Sequence, residues 1–121
     1  MYPSRLLAAL VATFVLGAPT QTTAQMACKP VLAFKEVRFS EPRNYLRKWT
    51  GVLNVDATRC AADSGLFEIK FVRLQEMGPD LPFTRRFSWR PGQLEVAVDV
   101  WWDEAIQEYW IGEISPCRCA N

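Results

Sequence analysis

Large apolar side chains occupy every second position between residues 94 and 102. The apolar positions are Leu94, Val96, Val98, Val100 and Trp102, and the positions between them are mostly polar. A period of two is typical of a half-buried β-strand, whereas a helix needs a period of about 3.6, which is absent here. This stretch is therefore predicted to be a strand whose valine row faces the core.

Five further segments show strand-like patterns and are separated by turns rich in Pro, Gly, Asn and Asp. The five segments are residues 30–40, 48–56, 66–76, 83–89 and 105–114. No long helical pattern is present. The sequence therefore predicts an all-β fold, an antiparallel β-sandwich of about six to seven strands stapled by disulfides, with a small β-barrel as the alternative.

Neighbouring residues of a strand point to opposite faces, which constrains the large side chains. Trp102 continues the valine row and is predicted to be buried, so the adjacent Trp101 is predicted to be exposed. In residues 105–114 the two faces are almost equally apolar. The face that carries Tyr109 and Ile111 is predicted to be the one toward the core.

The first 24 residues have the pattern of a signal peptide. Arg5 precedes an apolar run over residues 6–16, and Thr22 and Ala24 are small residues at the positions that a signal peptidase reads. The run of 11 residues is shorter than the roughly 20 that a membrane-spanning helix needs. We expect residues 1–24 to be removed, residues 25–121 to form a single β domain without a transmembrane segment, and the protein to be periplasmic or secreted.

Charge and composition exclude several classes of function. Of the 14 Lys and Arg residues Arg5 lies in the predicted signal peptide, which leaves 13 against 13 Asp and Glu, so neither nucleic acid nor an anionic membrane is expected as a partner. The chain contains no histidine, the commonest general base and zinc ligand. Because no catalytic motif is recognisable either, we expect a protein that is not an enzyme and that needs no cofactor.

Strand parity locates the four cysteines. Each turn between antiparallel strands reverses the chain, so Cys28, Cys60, Cys117 and Cys119 all arrive at the same end of the domain. We expect Cys28 and Cys60 each to form a disulfide with one member of the C-terminal pair, in either of the two combinations. Two alternatives are a soft-metal or redox site at Cys117 and Cys119, and lipid attachment at Cys28.

The region that follows the valine row resembles known domains. Asp103 and Ala105 begin the pattern D-x-A-x-Y-x-C of immunoglobulin domains, although Gln107 and Tyr109 stand where that pattern has tyrosine and cysteine. With the strand pattern, this resembles immunoglobulin-like and fibronectin type III-like sandwiches. Residues 98–111 also look like a segment of small exported bacterial proteins without an assigned activity. These resemblances imply a sandwich and no particular reaction.

Candidate binding residues come mainly from the five tryptophans. Trp101, Trp110 and Trp89 are the candidates for an exposed aromatic strip, which would suit a protein partner or a glycan. Asp99, Asp103 and Glu104 form an acidic turn that could bind calcium or act as an acid and base pair, the plainer interpretation being a solvated turn. Basic clusters are Arg43 with Arg47 and Lys48, and Arg85 with Arg86 and Arg90.

The functional expectation is a non-catalytic protein-binding or structural module whose partner is another envelope or extracellular protein. One alternative is a carbohydrate-binding module that uses Trp101 and Trp110. Another is a secreted enzyme inhibitor whose contact is the exposed loop at residues 77–82.

Overall fold

The computed structural model describes residues 27–121, so the predicted signal peptide lies outside the described residues. The described chain forms eight β-strands. They are β1 (Ala27–Cys28), β2 (Val31–Phe39), β3 (Leu46–Asp56), β4 (Gly65–Gln75), β5 (Leu81–Trp89), β6 (Gly92–Trp101), β7 (Glu104–Ile114) and β8 (Cys117–Arg118). Residues 27–121 contain no helix that could cross a membrane.

The six long strands form two antiparallel sheets of three strands, in the orders β2-β3-β6 and β5-β4-β7, while β1 and β8 form a short ladder of their own. The two sheets share one hydrophobic core, to which both contribute buried residues. The predicted all-β antiparallel sandwich is confirmed. The alternative of one closed barrel is wrong, because the described strands of the two sheets form separate ladders.

Strands β2 and β3 form an antiparallel hairpin whose turn lies at Asn44 and Tyr45. Val31 lies opposite Asp56 and Phe39 lies opposite Trp49. The register shifts by one residue between Phe34 and Glu36, which is a β-bulge. The alternation of β2 is therefore interrupted once, and apolar residues on both sides of the bulge still reach the core.

The core is centred on aromatic rings that connect the two sheets. The ring of Trp49 in β3 lies 4.8 Å from the ring of Phe71 in β4 and 5.4 Å from that of Tyr109 in β7. Leu53 and Ile69 are fully buried beside them. The valine row of β6 is also buried, as the period-two pattern predicts: Val96, Val98 and Val100.

The interior face of β7 is not a single alternating row. Its pairing with β4 shifts at two places, and these bulges bring Ile106 and Ile114 to the core together with Ile111. Tyr109 contacts Trp49 and Phe34 through its ring. Tyr109 and Ile111 lie on the side toward the core, as predicted, but Tyr109 is only partly covered and remains 38% exposed. The bulges explain why both faces of this segment look apolar.

Trp102 is not a core residue, so its predicted burial is wrong. Strand β6 ends at Trp101, and Trp102 belongs to the turn that follows. Its side chain is 52% exposed. The alternation stops one residue earlier than the sequence pattern indicates, because the turn changes the backbone direction before Trp102.

Two disulfides close one end of the sandwich. Cys28 bonds Cys119 and Cys60 bonds Cys117, with Cα–Cα distances of 5.0 and 5.5 Å. The predicted convergence of the four cysteines is confirmed, and no described cysteine is free. A thiolate metal site at Cys117 and Cys119 and a lipid on Cys28 are both wrong, because these sulfur atoms are already bonded. Each bond contributes on the order of 2–4 kcal/mol, chiefly by restricting the unfolded chain, and such bonds are typical of an oxidising, extracellular or periplasmic environment.

A carboxylate orders the start of the loop that carries Cys60. Asp56 Oδ1 accepts hydrogen bonds from the hydroxyl of Thr58 at 2.7 Å and from its backbone N–H at 3.0 Å. These hydrogen bonds hold the pKa of Asp56 below its usual value. The stabilisation they provide is present above the unfolded-state pKa and is lost as the pH falls through the lowered value.

The opposite end of the sandwich, called the tip below, is made of three turns. These are residues 40–45 between β2 and β3, residues 76–80 between β4 and β5, and residues 102–103 between β6 and β7. The tip therefore has no covalent cross-link, and its turns are held by hydrogen bonds and packing.

We predict that Gly51→Ala destabilises the fold. A Cβ at Gly51 would lie 2.6 Å from Cη2 of Trp49, whose indole is buried and cannot move away. We expect the free energy of unfolding, measured by urea titration followed by circular dichroism, to fall by about 1–3 kcal/mol.

Gly112→Ala is the matched control for this substitution. A Cβ at Gly112 would meet only the flexible chain of Lys70, at 3.1 Å. We expect a change of less than about 0.5 kcal/mol. Equal losses in the two variants would show that close packing against Trp49 is not the reason for glycine at position 51.

Candidate functional site

Trp89 does not belong to an exposed surface, which corrects its prediction as a binding residue. It is 0% exposed and lies on the interior row of β5, opposite Gly65. A Cβ on Gly65 would lie 2.6 Å from the indole Nε1, so the glycine makes the space that the ring fills. Trp89 is therefore a core residue.

Trp101 and Trp110 are exposed, as predicted, but they do not form one strip. Trp101 is paired with Leu46 in the sheet β2-β3-β6, and Trp110 is paired with Lys70 in the sheet β5-β4-β7. Both side chains lie on the outer faces of their sheets, since the inner faces are packed together. These outer faces point in opposite directions, so a single ligand platform made of both tryptophans is wrong.

The largest group of exposed apolar side chains lies at the tip. Five residues from its turns and the adjoining strand ends form what is called the tip patch below. They are Tyr45 (75% exposed), Leu46 (39%), Met77 (88%), Trp101 (59%) and Trp102 (52%). The backbone brings them together: Leu46 is paired with Trp101, the Trp102 N–H donates to the carbonyl of Tyr45 at 2.9 Å, and Met77 lines one depression with both tryptophans.

The turn that presents Tyr45 has an unusual sequence for its geometry. Arg43 and Leu46 exchange two backbone hydrogen bonds, of 2.8 and 3.0 Å, around a two-residue turn. Asn44 and Tyr45 have φ angles of 52° and 65°, the signature of a type I′ turn. The second of these positions favours glycine, and a side chain there costs about 1–2 kcal/mol. An exposed tyrosine at this position is a local conformational cost that the fold itself does not explain.

A buried ion pair fixes the turn that carries the two tryptophans. Glu104 is 3% exposed, and its Oε1 accepts the backbone N–H of Trp101 at 3.0 Å. Its Oε2 lies 2.6 Å from Nε of Arg73 in β4, and the Arg73 guanidinium lies over the ring of Phe83. Glu104, the first residue of β7, therefore connects the end of β6 to Arg73 in the sheet β5-β4-β7.

The predicted acidic cluster of Asp99, Asp103 and Glu104 is divided in the structure. Glu104 is buried and ion-paired, whereas Asp99 lies on the outer face of β6, opposite Lys48. The two carboxylates do not share a cleft, so the acid–base pair is not formed. Among residues 27–121 no group of three potential metal-ligating side chains is brought together, and the calcium hypothesis has no site there.

Charged side chains border the tip patch on both sides. Arg43, Arg47 and Lys48 line a depression together with Leu46 and with the carboxylates of Glu41 and Asp99. The guanidinium of Arg47 lies 3.8 Å from the ring centre of Phe39. Glu76 and Asp103 line the depression on the side of Met77. Arg47 also lines a depression with Glu76, Trp102 and Asp103. Charges of both signs therefore border the tip patch, and the first predicted basic cluster lies on the side of Leu46.

The other predicted basic cluster is divided. Arg85 lies on the interior row of β5 and its guanidinium lies 5.0 Å from the ring centre of Phe83. Arg86 lies on the outer face, 3.4 Å from the carboxylate of Glu68. The two side chains point to different faces, so they do not form a common anion site.

Comparisons with known proteins were made with protein-family models, with curated sequences and with solved structures, and none of them matches the chain. The functional interpretation therefore depends on the geometry of the tip. The sequence pattern identified Trp101 as exposed and placed Met77 in an exposed loop, but it missed Tyr45, Leu46 and Trp102 as parts of a binding surface. These residues become neighbours only through the three turns.

We predict that Glu104→Gln weakens the fold by removing the charge that faces Arg73. The amide still accepts the Trp101 N–H, so the loss reports the ion pair. Because Arg73 keeps partial access to solvent, the loss should be smaller than for a fully buried pair. We expect the free energy of unfolding, measured by urea titration, to fall by about 1–3 kcal/mol. Glu68→Gln is the control, since its partner Arg86 is mostly exposed and the expected loss is below about 1 kcal/mol. Similar losses in both would contradict a special role for Glu104.

We predict that Tyr45→Gly stabilises the domain. Glycine adopts the positive φ without strain, and the exposed tyrosine ring makes little contact that would be lost. The greater conformational entropy of glycine in the unfolded chain offsets part of the relieved strain. Thermal and urea unfolding should therefore show a free energy of unfolding higher by about 0.5–1 kcal/mol. Asn44→Gly should change stability less, because asparagine tolerates a left-handed conformation. A loss of stability in Tyr45→Gly would show that the side chain supports the fold.

Proposed function

We propose that the protein is an exported, non-catalytic binding module that holds a protein partner through the tip patch. The observation that carries the proposal is the collection of five exposed apolar side chains at one end, one of them a tyrosine kept at positive φ. A contiguous exposed apolar patch with a polar border is typical of an interaction surface.

The composition of the patch favours a protein as the partner. Trp, Tyr, Met and Arg are among the residues enriched at protein interfaces, and the patch together with the neighbouring Arg43 and Arg47 contains all four. Trp and Tyr also dominate the few positions that carry most of the binding free energy. The hydrogen bonds of the Trp101 and Trp102 backbones hold the turn before binding, which lowers the entropic cost of association.

The proposed fold family is immunoglobulin-like. The strand order supports it: β2-β3-β6 corresponds to the neighbours A-B-E, and β5-β4-β7 to C′-C-F, in the nomenclature of these sandwiches. Export through a signal peptide at residues 1–24 agrees with the two disulfides. The partner would then be another envelope or extracellular protein.

A glycan is the second candidate ligand, because Tyr45, Trp101 and Trp102 offer neighbouring rings on which a sugar can stack. Trp110 plays no part in it, since it lies on the other outer face. The loop expected as the contact of an enzyme inhibitor, residues 77–82, is shorter in the structure. Leu81 and Pro82 belong to β5, and the turn consists of residues 76–80. Of that turn, Met77 is the residue that joins the tip patch.

Trp101→Ala with Trp102→Ala is the variant that tests the proposal. Tagged wild-type and variant domains are cross-linked to the periplasmic and extracellular proteins of the source cells, and the bound proteins are quantified by mass spectrometry. Loss of hot-spot aromatic residues worth about 2 kcal/mol should weaken the affinity for the identified partner about thirtyfold. Tyr45→Gly should weaken binding without loss of stability.

Trp110→Ala is the matched control, an exposed tryptophan far from the tip, and should leave partner binding unchanged. Loss of binding in this control but not in the tip variants would contradict the proposed surface. Binding of soluble glycans that disappears in the tip variants, without any protein partner, would establish the glycan candidate instead.

A further inference from the structure

The two sheets have four free edges within the described residues, and three of these edges are interrupted. β2 contains the bulge between Phe34 and Glu36, and β7 contains two register shifts against β4. β5 contains Pro82, which has no N–H to donate, and Arg85, a charge on its interior row. Bulges, prolines and inward charges are devices that prevent another strand from pairing with an edge.

The fourth edge, β6, lacks all of these devices. Its ten residues pair with β3 without any interruption, from Gly92 opposite Val55 to Trp101 opposite Leu46. The strand contains no proline, lysine or arginine. A long and regular edge of this kind presents a row of unpaired backbone donors and acceptors, which is the template for addition of another strand.

The charges on β6 indicate which strand would fit. Glu95 and Asp99 lie on the outer face, four residues apart, and no positive charge is present on the strand. Glu95 is 63% exposed and its carboxylate contacts Arg38 at 3.4 Å, so one side of it remains open to solvent. Because opposite charges on facing strand positions attract, a strand with basic residues four positions apart is complementary to this edge.

A second copy of the chain does not meet this requirement. Antiparallel pairing of β6 with β6 of another molecule would gather four carboxylates, two copies each of Glu95 and Asp99, on one face, and like charges across strands are destabilising. The basic edge β2 is interrupted by its bulge at Lys35. The occupant that fits is therefore a segment of a different protein.

The edge of β6 leads directly into the tip patch. Strand β6 ends at Trp101, which is itself a member of the tip patch. A strand lying along the free edge of β6 would reach Trp101 at its end, and Leu46 is the partner of Trp101 on the opposite side, in β3, so the two surfaces are continuous. We propose that β6 is a strand-addition site for an extended segment of the partner protein that carries Lys or Arg on every fourth residue of its outward face. This inference deepens the proposed function and depends on a protein being the partner.

The test uses a labelled peptide of sequence Lys-Val-Thr-Val-Lys-Val-Thr-Val, with the mature chain and fluorescence anisotropy as the readout. Its lysines lie four positions apart on one face when the peptide is extended. We expect it to bind about tenfold more tightly than the peptide in which both lysines are replaced by glutamate. Two further peptides carry N-methyl groups on the backbone nitrogens of the odd-numbered or of the even-numbered residues. Only one row of N–H groups faces β6, so one of these two peptides should lose binding and the other should keep it.

Charge reversal on the protein makes the test specific for this edge. Glu95→Lys with Asp99→Lys should reverse the preference from the lysine peptide to the glutamate peptide. Glu95→Gln with Asp99→Asn should remove the preference without placing new positive charges beside Arg38 and Lys48, which keeps the test valid if the reversal variant does not fold. Glu108→Lys with Glu113→Lys, on the interrupted edge β7, is the matched control and should leave the preference unchanged.

Equal affinity for the lysine and the glutamate peptide would overturn the strand-addition site. Unchanged binding of both N-methylated peptides would overturn it as well. Self-association of the chain that is lost in the Glu95 and Asp99 variants would identify a second copy as the occupant and would also overturn it. The peptide contains no aromatic residue and reports on β6, whereas capture of the partner by the Trp101 and Trp102 variants reports on the tip. Failure of one proposal is therefore distinguishable from failure of the other.

Discussion

The structure depends on the packing of two small sheets that share no backbone ladder within the described residues. The contact of Trp49 with Phe71 and Tyr109 joins them, and one cluster of buried side chains from both sheets surrounds and extends this contact. In sheets of three strands, an apolar interior row on each strand is the main source of stability, because burial of apolar area is the dominant favourable term in folding. Gly51 and Gly65 follow from the same constraint: each leaves room for an indole ring that could not otherwise approach the sheet.

This packing leaves the two ends of the sandwich with different means of stabilisation. At one end, the disulfides join Cys28 of β1 to Cys119 and Cys60, in the loop after β3, to Cys117 of β8. The short ladder of β1 and β8 lies at the same end. At the other end three turns are held by noncovalent contacts, of which the ion pair between Glu104 and Arg73 is buried. The covalent end therefore stabilises the domain as a whole, and the tip is free to carry exposed side chains that contribute little to folding.

Much of the fold could be predicted from the sequence, because it follows from period-two alternation and strand parity. The interior rows of β4 and β6 and the convergence of Cys28, Cys60, Cys117 and Cys119 needed no further information. The pairing of individual cysteines could not be predicted, since all four arrive at the same place.

The features that could not be predicted have a common physical origin. The bulges of β7 mix its two faces, and the end of β6 at Trp101 removes Trp102 from the core row. Trp89 looked exposed because the space for its ring is made by Gly65, a residue on another strand. The tip patch was only partly visible for the same reason: Tyr45, Met77 and Trp102 belong to three different turns, and only the tertiary fold makes them neighbours.

The distribution of the tryptophans has a spectroscopic consequence. Trp49 and Trp89 are buried, and their indole N–H groups have no hydrogen-bond acceptor among the described residues, whereas Trp101, Trp102 and Trp110 are exposed. The two groups therefore emit in different surroundings, the first apolar and the second aqueous. A water-soluble quencher such as acrylamide reaches only the second group while the domain is folded. Two of the three exposed indoles, Trp101 and Trp102, belong to the tip, so a change in the exposed emission reports occupancy of the tip, while the buried emission reports the integrity of the fold.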